Sequence, residues 1–142
     1  MRLDENDALA RLLAHDHGIL GTVHPERGTD LVPVVFAVND DGFAGIPIDR
    51  IKSKTSGRLQ RERNLEADPR ATLLVERWDA VDWSQLWWVR AELRWQPTPT
   101  TQRTQNLADL LVLRYTQYRD RPFNRILVFR IVEVTGWSAD SA

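Results

Sequence analysis

The 142-residue chain contains no cysteine, one methionine, and only two lysines among its 19 basic residues. The lack of cysteine excludes thiol catalysis, Cys-ligated zinc, iron–sulfur clusters and disulfides together. No apolar run approaches the ~20 residues of a membrane span, and the opening MRLDENDALARLL carries acids where a secretion signal places a basic and then an apolar stretch. A soluble, cytoplasmic protein without membrane association is expected. A net charge of −1 provides no whole-chain field for nucleic acid, so no nucleic-acid partner is expected. Also missing are the G-x-S-x-G elbow, the Walker A loop, G-x-G-x-x-G and H-E-x-x-H.

What is present reads as one globular domain, residues 1–142. Apolar residues are 42% and charged residues 27%, which argues against extended disorder. A chain of this size buries roughly 68–70% of its unfolded surface, enough for a core without staples. Asp4 is placed to cap a helix over residues 5–15, with Ala8, Leu9, Leu12 and Leu13 at helical spacing. Strands are expected over 19–23, 31–38, 43–48, 71–76, 86–95 and 125–134, separated by turn chemistry at Pro25, Gly28, Asn39 and Gly42. Helices are expected over 58–67, ended by Asp68-Pro69, and over 100–118, with Leu107, Leu110, Leu111 and Leu113 apolar and Arg103 and Arg114 outward. Pro33 and Pro47 cannot donate to a ladder, so they mark edges or bulges where something else can approach the backbone. Tight turns between successive strands favour a closed or nearly closed antiparallel barrel with peripheral helices over a doubly wound sheet.

Three clusters carry candidate chemistry. From Arg50 to Arg63 the chain reads RIKSKTSGRLQRER, six cations against the single Glu62. Two lysines, a serine hydroxyl and a following helix N-terminus are what a phosphate needs, although a solvated helix face has the same composition. Five of the six tryptophans fall between Trp78 and Trp95; such density suits a core, an interface or a flat-ring site. Period-two alternation there puts Trp87, Val89 and Ala91 on one face and Trp88 and Arg90 on the other. His15-Asp16-His17 with His24 can be drawn as a metal site, but the pair stands at a helix end, where histidine suits the dipole, and no metal is expected. Asp79 and Asp82 precede Trp83 in what reads as a solvated loop rather than an acid/base pair.

The segments LVPVVFA at 31–37, Ile48-Asp49 with Lys52-Ser53-Lys54, RNLEADPR at 63–70 running into Leu73-Leu74-Val75, and Leu86-Trp87-Trp88-Val89-Arg90 follow one another in a familiar order. This ordered set resembles the pyridoxamine 5′-phosphate oxidase-like split-barrel proteins. Within them it is similar to the actinobacterial F420-dependent branch, the flavin/deazaflavin oxidoreductases. The resemblance implies a mainly β, six-stranded antiparallel FMN-binding split β-barrel working as a homodimer, with cofactor at the subunit interface. It implies that Lys52, Ser53 and Lys54 hold the cofactor phosphate, with Arg58 and Asn64 as neighbours. It places the ring along Pro33, Val34, Ile48 and Asp49, with Trp88 as a wall from the partner subunit. Arg58, Arg61 and Arg63 could meet the polyglutamate tail of F420. The C-terminal tryptophan and arginine of the classical oxidases are not reproduced, Trp137 being a loose counterpart, so vitamin B6 oxidation is not expected.

The function so implied is hydride transfer from reduced F420 to a small, electron-poor organic substrate. The cofactor carries the chemistry, and no catalytic residue is assigned. The alternatives are an FMN-binding oxidoreductase and a non-catalytic F420 or flavin carrier. Haem handling is open by fold analogy alone, and none of the three histidines has a haem-ligand context in the sequence.

Overall fold

The computed structural model describes residues 1–49, 58–119 and 123–140. Helix α1 (Glu5–Ala14) starts where Asp4 accepts the Asp7 N–H at 2.8 Å, and its Ala8 and Leu12 face the core. Strands β1 (Gly18–His24) and β2 (Gly28–Val34) form a hairpin turning at Gly28, whose φ of 90° needs no side chain. After β3 (Ala37–Val38), a turn with Gly42 at φ 85° leads into β4 (Phe43–Ile48). Helix α2 (Gln60–Ala67) ends at Asp68, and β5 (Arg70–Arg77) and β6 (Trp87–Trp95) follow as an antiparallel pair. Helix α3 (Thr101–Arg114), a single turn at Thr116–Tyr118 and the long strand β7 (Arg125–Ser138) complete the described chain.

The strands form one antiparallel sheet in the order β2-β1-β5-β6-β7-β4-β3. Its inner face carries Leu20, Phe36, Ile46, Leu73, Val75, Val89, Leu93 and Phe129, all buried, and Leu12 and Leu65 close the core from α1 and α2. In β6 the alternation holds: Val89 and Ala91 are buried and Arg90 is exposed. Trp87 packs against the core and Trp88 stands on the opposite face, where Arg90 reaches it. β7 shifts register at Val132, the extra residue opposite Glu92 and Leu93, which leaves Val132 outward and keeps Ile131 and Val134 inward.

Three expectations are corrected. The sheet has seven strands, not six, because the extended run 31–38 divides at residues 35–36. The backbone of Phe36 bonds the Tyr115 hydroxyl, its oxygen at 2.9 Å, rather than a neighbouring strand, while its ring is fully buried. The sheet is also open rather than closed by a ladder: β2 and β3 are its two edges, joined through the chain at residues 35–36 and not through hydrogen bonds. Finally, α3 ends at Arg114, and its arginines turn inward. Arg103 lies 3.6 Å above the Phe43 ring, and Arg114 donates to the His15 carbonyl beside Phe36.

Candidate functional site

Both prolines fall on open edges. Pro33 lies in edge strand β2, opposite Ile19 of β1, and Pro47 lies in β4 beyond the two residues that β3 covers. Where β3 stops, a cleft of about 580 Å³ opens, lined by His17, Pro33, Val34, Val35, Pro47, Asp49, Leu59, Arg61, Gln117 and Tyr118. That volume is in the range of small-molecule and cofactor sites. Pro33, Val34, Val35, Pro47 and Leu59 make its apolar part, and the polar groups come from His17 after α1, Asp49 after β4, Arg61 on α2 and Gln117 and Tyr118 in the turn after α3.

Arg61, on the first turn of α2, is half-buried, and its Nε is buried with no hydrogen-bond partner among the described residues. Burial lowers its pKa, against the opposing pull of Glu62 and Asp49. A buried guanidinium N–H without an acceptor is costly, and an anionic ligand in the cleft would satisfy it. Tyr118 donates its hydroxyl to Asp49 Oδ1 at 2.8 Å. Burial first, and then the Asp49 carboxylate, raise the phenol above its ordinary pKa, so Tyr118 keeps its proton in the free protein. Among the described residues the cleft thus offers a guanidinium whose buried Nε has no partner, a held proton and a carboxylate beside apolar side chains.

α2 is anchored independently of any ligand. The Glu62 carboxylate accepts from two of the three guanidinium nitrogens of Arg125, Nη2 at 2.6 Å and Nε at 2.9 Å, and accepts the Leu59 N–H at 3.1 Å. Burial pushes the Glu62 carboxyl up, and these hydrogen bonds outweigh it and hold it below its ordinary value. Arg61 is therefore presented from a fixed helix.

Of the residues expected at the site, the structure brings Pro33, Val34 and Asp49 together in the cleft. Ile48 sits under it in the core, fully buried. Asn64 is fully buried too, donating to Thr22 Oγ1 at 3.0 Å and Asp30 Oδ2 at 2.9 Å and accepting from Gln60; it joins α2 to the β1–β2 hairpin. Arg58 pairs with Glu66. Trp88 lines a separate surface hollow with Leu74, Trp78, Leu86 and Trp87. Lys52, Ser53 and Lys54 lie outside the described residues; Asp49, on the cleft wall, is the last described residue before them.

Sequence reasoning singled out neither Tyr118 nor Gln117, because both were absorbed into the expected helix over 100–118. The helix instead stops at Arg114, and the Thr116–Tyr118 turn aims Tyr118 at Asp49. The one available signal was the tyrosine spacing: Tyr115 and Tyr118 at i, i+3 share a face only if the chain keeps turning. Arg61 was visible as part of a cation run, but its burial was not. His24 stands apart in the hairpin turn, accepting the Glu26 and Arg27 N–H groups, whereas His15, Asp16 and His17 converge. Asp79 and Asp82 accept loop N–H groups at Val81, Asp82 and Ser84, as expected of a solvated loop.

No family model and no curated protein matches the chain. Solved structures do. A conserved hypothetical protein of Mycobacterium tuberculosis superimposes with a TM-score of 0.73 at 22% identity, over 96% of this chain and 86% of the other. A FAD-binding protein of Mesorhizobium loti gives 0.69 at 15% identity, over 96% and 95% of the two chains. An FMN-binding protein of Syntrophomonas wolfei gives 0.64 at 16%, over 96% and 86%. At these identities the likeness is one of fold, an antiparallel sheet with three helices that a FAD-binding and an FMN-binding protein share.

Proposed function

We propose that the cleft between Pro33, Pro47, Arg61 and Tyr118 binds the ring system and phosphate of a flavin-type cofactor, and that the chain is an F420-dependent oxidoreductase. The observation that carries the binding reading is Arg61, a cation at the cleft wall whose buried Nε has no partner among the described residues. The fold's occurrence in a FAD-binding and an FMN-binding protein supports it. In this reading the flat ring lies on Pro33 and Val34, where β2 offers an edge without a competing strand. The phosphate is met by Arg61 and by Lys52, Ser53 and Lys54, which follow Asp49 in sequence.

Bound there, reduced F420 supplies a hydride to a small, electron-poor organic substrate. The chain's part is to orient the ring, exclude water with Val34, Val35 and Leu59, and hold a proton on Tyr118, which Asp49 positions at 2.8 Å. A homodimer completes the site in this proposal, the Trp88 face of one subunit covering the cleft of the other.

The test is fluorescence polarisation of F420 and FMN titrated with the protein, followed by turnover assays with reduced F420. Saturable binding of F420 in preference to FMN supports the reading, and Lys54→Glu then weakens it, since a lost charge-assisted contact costs roughly 1.5–3 kcal/mol. Preference for FMN, which the FMN-binding neighbour favours, assigns the flavin branch. Binding of F420 without turnover of any acceptor assigns a carrier.

A further inference from the structure

At the mouth of the same cleft, but independently of any flavin, the chain leaving α1 folds back on itself. One donor atom from each of His15, Asp16 and His17 lies within 4.8 Å of the others. His17 also lines the cleft, so the triplet meets the cleft at that residue. Two features hold the triplet in place. The backbone is pinned from outside: Arg114 donates to the His15 carbonyl and the Tyr115 hydroxyl bonds the Asp16 carbonyl at 2.7 Å. The rings are ordered as well, His15 edge-on to Trp87 at 5.5 Å and His17 Nδ1 at 2.6 Å from Asp16 Oδ1. Three donors that converge while their backbone is bonded to a different element are an arrangement that a solvated helix end does not require.

We propose that His15, Asp16 and His17 bind a divalent first-row metal ion, with Zn²⁺ as the reference ion. Two imidazoles and one carboxylate suit zinc, copper, nickel or iron rather than calcium or magnesium. Donors about 2.0–2.2 Å from a tetrahedrally coordinated ion stand about 3.3–3.6 Å apart, so the widest pair must close by about an ångström. The exposed Asp16 and His17 side chains can supply that by rotation. Three protein ligands leave coordination positions free. Because His17 is on the cleft wall, those positions are available to water or to an anionic oxygen of a cleft ligand.

The experiment is calorimetric titration of tag-free, EDTA-treated protein with Zn²⁺, repeated for His17→Ala, Asp16→Asn and His24→Ala. Expected is one ion per chain, with binding weakened at least about 10-fold in His17→Ala and Asp16→Asn and unchanged in His24→Ala. Co²⁺ supplies a second readout: bound beside His15 it should quench Trp87 emission, and His17→Ala should abolish the quenching. His17 is exposed and its ring contact is with His15 of the same triplet, and thermal unfolding of the variant separates loss of a ligand from loss of the fold. No saturable Zn²⁺ binding by the wild-type chain, or equal binding by His17→Ala, overturns the assignment. Neither result bears on the flavin reading, which is tested without metal.

Discussion

Arg61 keeps a buried N–H without an acceptor among the described residues, a state that costs free energy until an acceptor arrives. Arg61→Ala should therefore weaken flavin or F420 binding about 10- to 100-fold, the equivalent of a charge-assisted hydrogen bond, and leave the ligand-free protein at least as stable. Fluorescence polarisation and thermal unfolding of the same sample check both halves. Asn64 is the opposite case, buried with every polar atom bonded across two elements. Asn64→Ala should cost about 1–3 kcal/mol by leaving Thr22, Asp30 and Gln60 without their partner, read as a lower urea midpoint. The two variants separate a ligand-facing polar group from a structural one: one changes affinity, the other stability.

At the scale of elements, α2 is the support on which Arg61 depends. Its tie to β7 is the Glu62–Arg125 pair, with Glu62 buried and Arg125 about two-fifths exposed. Solvent screening at Arg125 reduces the worth of the pair, so Glu62→Gln should destabilise by about 1–2 kcal/mol and should lower cofactor affinity through Arg61. The tie also sets a pH response. Glu62 is held below its ordinary value of 4.5, and Asp68, at the C-cap of α2, is brought from 3.8 to about 2 by its hydrogen bonds to the Arg70 side chain and N–H. A depressed folded-state pKa gives stability that is present above the unfolded value and lost as pH falls. The urea midpoint should thus be flat above about pH 5 and fall as pH drops from 3.8 toward 2. Asp68→Asn should flatten the lower part of that decline.

For the whole molecule, the outer face of β2, β1, β5 and β6 carries Leu31 at 69% and Leu74 at 36% exposure, beside Ile19, Val23 and a hollow of about 590 Å³. Exposed leucines on a sheet face are what a subunit interface would cover. In the homodimer reading the wild-type chain sediments at twice 16.4 kDa. Leu31→Asp with Leu74→Asp should sediment as a monomer and lose cofactor affinity together with the partner's Trp88. Sedimentation of the wild-type chain as a monomer at micromolar concentration would count against a shared site. No helix among the described residues is long and apolar enough to cross a membrane.

What the sequence determined by itself is local. Asp4, Gly28, Gly42 and Asp68-Pro69 mark their cap, turns and helix end because backbone conformation and short-range hydrogen bonds decide those features. The alternation in β6 follows from period two, and the mainly antiparallel β character follows from the short strands between tight turns. Tertiary structure alone decided the rest. The split of 31–38 depends on the Tyr115 hydroxyl, nearly eighty residues away, bonding the backbone of Phe36. Arg103 and Arg114 turn inward because aromatic rings and a carbonyl await them across the chain. The cleft exists because β3 stops short of Pro47, bringing Pro33, Asp49, Arg61 and Tyr118 to one opening from four separate segments. Pattern along a chain reports which face of an element is apolar; which partner from a distant segment meets that face is set by packing the whole core.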